Sequence, residues 1–168
     1  AYSKYLVMPG NAIKSIPDNV DFKTAVLAEP LSVVVRALKR LEPRLSKDSK
    51  IAVIGAGQIG NLCTQMLALS GHNPSVFDRN EGRLKILESE AGSIHTDLGD
   101  FQKFDVIIEA TGSKEILEKA LSGSRVDCTF LLLGFPYGAI QYNFEDLVGK
   151  EKVIIGSVGA SGEDTLQA

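Results

Sequence analysis

The sequence has no tryptophan, two cysteines and two methionines among 168 residues. Cys63 and Cys128 cannot build a disulfide framework, and their spacing matches no metal-binding motif. Both sit in apolar runs, which predicts buried free thiols. Histidine is equally scarce. His72 follows Gly71 at an expected helix end, and His95 lies in or beside a short strand. Both read as surface or edge residues rather than metal ligands. Positive charge is not in excess either. Eighteen Lys and Arg against 21 Asp and Glu give a net charge of −3. That excludes a broad basic surface for a nucleic-acid backbone or an anionic membrane. No basic stretch followed by an apolar segment opens the chain, so a cytoplasmic location is the default expectation.

Charge of either sign is missing from residues 51–77. A stretch of that length raises the question of a membrane span. Gly55, Gly57, Gly60, Gly71 and Pro74 break it, so it reads as a buried strand, a turn and a helix, with no membrane partner. The remainder is ordinary globular composition, 44% hydrophobic and 23% charged. The length suits one domain with its own core.

The pattern along the chain alternates. Residues 4–8 read as a short strand. Residues 22–41 read as helical, interrupted at Glu29-Pro30, and a polar link follows. Apolar segments at 51–54, 75–77, 105–109, 128–133 and 153–155 read as strands, with 93–95 as a very short further one, six in all. Helical segments are expected at 58–70, 81–90, 114–121 and 144–148. Strands alternating with helices imply a doubly wound, six-stranded parallel sheet with helices on both faces, an α/β fold. Ser161-Gly162-Glu163-Asp164 has the capping-box spacing of a helix start. The chain stops soon afterwards, and it opens on a strand with no evident partner. It therefore reads as a fragment of a longer protein.

Gly55-Ala56-Gly57-Gln58-Ile59-Gly60 is G-x-G-x-x-G between a strand and a helix. In that context the first glycine permits the tight turn, the second admits a pyrophosphate, and the third lets helix and strand pack closely. The N–H groups at the helix start attract an anion. The bare alternative is a glycine-rich turn with no ligand. Asp78 lies 21 residues past the second glycine, at the end of the second strand. An acid there accepts ribose hydroxyls and repels a 2′-phosphate, which favours NAD over NADP. The bare alternative is a turn-forming acid before Arg79-Asn80. Arg79 could contact a phosphate or stack on an adenine. Small residues follow the fourth, fifth and sixth strands as well, leaving room for a dinucleotide across the strand ends.

These residues together resemble the nucleotide-binding domain of medium-chain, zinc-type alcohol and polyol dehydrogenases. The features are Glu29-Pro30-Leu31-Ser32-Val33, the glycine turn, Asp78, Asp105 to Gly112, and Ile155-Gly156-Ser157-Val158, in that order. Glu29 to Val33 points to the sorbitol, threonine and glucose dehydrogenase branches. The resemblance implies a Rossmann domain over 23–168, its last helix truncated, with 1–22 leaving an absent catalytic domain. It implies that Gly55, Gly57 and Gly60 cradle the pyrophosphate and that Asp78 holds the adenosine ribose; Gln58, Ile59 and Arg79 are counted with them as cofactor-binding residues. Thr111, Gly134, Phe135, Ser157 and Val158 would line the path to the nicotinamide. Glu29 matches a position at or beside the last ligand of the catalytic zinc; alone it is only a helix-end carboxylate, since one ligand cannot hold zinc.

The implied activity is hydride transfer between an alcohol, polyol or sugar and NAD, zinc-assisted in the full-length protein. The fragment alone is expected to be inactive. A homodimer or tetramer is expected by analogy only. An NAD(H)-sensing module and a zinc-free NAD(P)H reductase of the same superfamily stand as alternatives, with a methyltransferase more remote.

Overall fold

The computed structural model describes residues 3–138 and 141–167. Six strands form one wholly parallel sheet: β1 (Ile51–Ile54), β2 (Ser75–Phe77), β3 (Ser93–His95), β4 (Val106–Glu109), β5 (Thr129–Leu132) and β6 (Val153–Gly156). Their spatial order is β3-β2-β1-β4-β5-β6. The order therefore reverses between β1 and β4, where such sheets take ligands.

Helices cover both faces, as the alternation predicts. They are α1 (Phe22–Ala25), α2 (Ala28–Leu41), α3 (Gln58–Leu69), α4 (Glu81–Lys85), α5 (Lys114–Gly123), α6 (Phe144–Gly149) and α7 (Gly162–Gln167). Alternate residues of each central strand enter opposite cores. Val53, Val106, Ile108 and Leu131 pack with Val34, Ala37, Leu41, Cys63 and Leu67 of α2 and α3. Ala52, Ile54, Ile107 and Phe130 pack on the other side with Leu117 and Leu121 of α5, and with Phe101 and Phe104. Burial of each large side chain contributes about 1.5–3 kcal/mol. Cys63 and Cys128 are free and buried. Burial pushes the Cys63 thiol up to about 12 and, offset in part by Lys152, the Cys128 thiol up to about 11.

Three expectations need correction. Residues 4–8 are not a strand: Tyr5, Leu6 and Val7 are exposed, and no described strand pairs with them. β-prone residues make a strand only where a ladder closes on them. The break in the 22–41 helix falls at Val26-Leu27, not at Glu29-Pro30. Pro30 sits in the first turn of α2, where its missing N–H would have had no helical partner. α4 ends at Lys85 rather than reaching residue 90, because bonds such as Leu87 N–H to the Leu84 carbonyl tighten the chain into turns. The capping box at Ser161 does form: Asp164 accepts from both the N–H and the hydroxyl of Ser161. Its other oxygen receives Lys39 of α2 at 2.9 Å.

One buried polar cluster was not foreseen. The Lys152 ammonium is fully enclosed; it donates to the Leu121 carbonyl, to Tyr142 at 3.2 Å and to Asp146 at 2.6 Å. It fastens the start of β6 to α6.

Candidate functional site

The strand register sets the site. His95, Phe77, Ile54, Glu109, Leu132 and Gly156 form one continuous rung across the sheet. It is the last rung of every strand. The residues that follow it (Thr96, Asp78, Gly55, Ala110, Leu133 and Ser157) therefore emerge along a single edge.

At the centre lies the glycine turn. Gly55 has φ +101, a left-handed conformation that side chains rarely adopt. A Cβ there would lie 2.8 Å from Thr111 Cγ2. A Cβ on Gly60 would lie 1.7 Å from the Gly55 carbonyl oxygen, so helix and turn touch backbone to backbone. Gly57 differs: nothing lies within 4 Å of the position a Cβ would take. Gln58 is exposed, and Ile59 turns its side chain into the core. The N–H groups of the first turn of α3 have no intrahelical acceptor.

Asp78 bridges the turn to β2. Its Oδ2 accepts from Ala56 N–H at 2.8 Å and its Oδ1 from Asn80 N–H at 2.8 Å. Each oxygen keeps a further lone pair for a ligand hydroxyl. Arg83 Nη1 stands 3.7 Å from Oδ2.

A cleft of about 720 Å³ opens above these residues. Gly55, Gly57, Asp78, Arg79 and Thr111, all expected at the site, line it. Arg83, Asp97, Leu98, Ile116 and Lys119 also line it, and the sequence reading missed them. The signal for Arg83 was its place in the first turn of the helix after Asp78. Lys119 carried none.

The other expected residues lie beyond this cleft's lining. Gly134 is pressed against the Gly112 turn, where a Cβ would lie 2.2 Å from Gly112 N. Phe135 is exposed beside it, its carbonyl oxygen 3.0 Å from the place of a Gly112 Cβ. Val158 is exposed after β6. The Ser157 hydroxyl is buried and has no hydrogen-bond partner among the described residues. Glu29 is exposed on the first turn of α2. Among the described residues, no group of three or more His, Cys, Asp or Glu could hold a metal ion. His95 stacks on Phe77 with ring centroids 4.8 Å apart. His72 is half-buried.

The chain carries a second unforeseen group, Glu109. Its side chain is fully buried at the end of β4. Oε1 accepts from Thr111 N–H at 2.7 Å, from the Thr111 hydroxyl, and from Gly112 N–H at 3.1 Å. In the sequence it stands only as part of the Asp105 to Gly112 strand end, with no role of its own.

Among the described residues, no helix is long and apolar enough to cross a membrane. Relatives are evident. Glucose 1-dehydrogenase 2 of Vulcanisaeta moutnovskia is 32% identical over 173 residues, covering 94% of this chain and 49% of that protein. The structure of the E. coli CFT073 short chain alcohol dehydrogenase RspB in complex with NADH superposes with a TM-score of 0.84 at 24% identity, covering 95% of this chain and 50% of that one. S. aureus TarJ in complex with NADPH superposes at 0.78 with 19% identity, covering 90% of this chain and 50% of that one. The chain spans about half the length of the curated relatives it matches. The family described as glucose dehydrogenase C-terminus matches residues 22–167, and the chain belongs to that family.

Proposed function

We propose that this chain is the nicotinamide-dinucleotide-binding half of an oxidoreductase acting on an alcohol, polyol or sugar. The observation that carries the reading is the open face of Gly57 above the first turn of α3, beside a cleft that Asp78 also lines. The site fits the cofactor: a Cβ-free approach for a diphosphate, free N–H donors, and a carboxylate with lone pairs to spare.

In this reading the first-turn N–H groups of α3 hold the diphosphate. Asp78 accepts the adenosine ribose hydroxyls, and Leu98 and Ile116 flank the adenosine. The chain then crosses the β1–β4 switch point towards Thr111, Gly134, Phe135, Ser157 and Val158. The unpartnered Ser157 hydroxyl is suited to a carboxamide. Bound there, a nicotinamide supplies a ring carbon that accepts or returns a hydride. The chain's own work is to fix that ring and exclude water. Residues 1–22 would lead from a catalytic domain, with 23–168 as the cofactor domain. Zinc assistance belongs to the longer protein only. Among the described residues Glu29 has no companion ligands, so those residues do not fit a zinc site.

NAD is favoured over NADP because the Asp78 carboxylate would repel a 2′-phosphate. Arg79, Arg83 and Lys119 line the same cleft and favour the opposite choice. Parallel titrations with NADH and NADPH, followed by nicotinamide fluorescence, decide between them. Tighter NADH binding supports the reading; comparable NADPH binding assigns the cleft to NADP. Binding of neither removes the dinucleotide reading.

A further inference from the structure

Glu109 stands apart from the other groups at the strand ends. It is a carboxylate 1% exposed to solvent. The N–H groups of Thr111 and Gly112 and the Thr111 hydroxyl direct their donors at its oxygens. Among the described residues no cation lies within ion-pair distance of it. Its hydrogen bonds come from Thr111 and Gly112 and, among the described residues, none comes from residues 55–60. Oε2 lies 2.5 Å from the place a Gly134 Cβ would take. The charge therefore faces the β4–β5 side of the switch point and not the turn where a diphosphate would lie.

A buried charge with no counter-ion is costly and persists where something compensates it. Three donors do so in part. A cation entering the neighbouring space would do so further. The oxidised nicotinamide ring carries a positive charge, and the reduced ring carries none.

We propose that Glu109 is a positioning residue with two effects: it holds the Thr111-Gly112 turn against Gly134, and its charge favours the oxidised, cationic nicotinamide over the reduced form. The inference rests on the dinucleotide reading of the cleft. Charge interactions of this kind weaken little in a site shielded from water.

Glu109→Gln separates the two effects. The amide oxygen still accepts from Thr111, while the charge is gone. NAD+ binding is measured by heat and NADH binding by fluorescence, with thermal unfolding of both chains alongside. The expected result is an about fivefold or greater loss of NAD+ affinity with an about twofold or smaller loss for NADH. A merely structural role would weaken both equally. Equal losses, or none, overturn the proposal. If the Gln chain does not unfold cooperatively, Thr111→Val decides. It removes one of the donors that compensate the charge and keeps the charge itself, so NADH should weaken more than NAD+, by about twofold or more; equal losses, or a selective loss of NAD+, overturn the proposal. A wild-type chain that binds neither form refutes the dinucleotide reading itself, and the inference with it.

Discussion

The Asp78 carboxylate accepts the backbone N–H of Ala56 at 2.8 Å, across 22 positions of sequence. The acid at the end of β2 thus holds the glycine turn at the end of β1. Asp78→Ala is expected to leave that N–H and Asn80 N–H without their acceptor. The cost should be about 1–3 kcal/mol in urea unfolding. NADH affinity should fall and NADPH affinity rise relative to it. Unchanged stability would show that the turn holds its shape without Asp78.

Gly57 and Gly60 are three residues apart and should respond oppositely to the same substitution. Gly60→Ala puts a methyl group 1.7 Å from a backbone oxygen. Backbone cannot step aside as a side chain can, so the loss should be at least about 3 kcal/mol. Gly57→Ala meets nothing within 4 Å, at a φ of −70 that alanine accepts readily. Its melting temperature should match wild type while dinucleotide affinity drops, because the methyl group fills the approach to the first turn of α3. Calorimetry and titration on the same two samples check the pair.

The thiols should be silent. Cys63 and Cys128 are buried with raised pKa values, so little nucleophilic thiolate exists at neutral pH. A thiol reagent should count none in the native chain and both in denaturant. Prompt native labelling of Cys63 would contradict the packing of α3 against the sheet.

Asp146→Ala strips the carboxylate from a fully enclosed Lys152 ammonium. Leaving such a charge unpaired costs about 3–5 kcal/mol. The pH dependence follows from the same contacts. Hydrogen bonds from Lys150, Lys152 and Tyr142 hold the Asp146 carboxyl well below the usual carboxylate range, and Lys39 and Ser161 do so for Asp164. A carboxyl depressed in the folded state contributes stability above its unfolded pKa of about 3.9. That stability drains away as pH falls below this value towards the folded pKa. Unfolding midpoints measured from pH 6 down to pH 2 should decline, and less steeply in Asp146→Ala.

Legibility divided along a physical line. β1, β2 and β3 stand at the expected bounds because glycine or proline punctuates each: Gly55 after β1, Pro74 before β2 and Gly92 before β3. The glycine turn and Asp78 were legible because their spacing is a backbone requirement. Residues 4–8 failed because ladder formation depends on a partner distant in sequence. The α2 start failed because a proline's effect depends on its turn, not on its presence. Glu109 and Lys152 were missed for one reason. A charged residue beside a strand reads as solvated until the donors or acceptors around it are known, and those come from tertiary packing.

The Lys39–Asp164 ion pair joins positions 125 residues apart and fastens α7 onto α2. Closing so long a loop carries an entropic cost that local helices and neighbouring strands do not bear. The contact is therefore expected to form late in folding, after the sheet has brought both helices within reach. The same ordering runs in reverse on unfolding. α7 should detach in a partial opening that leaves the sheet intact, and its amides should exchange with solvent sooner than those of β1 and β4.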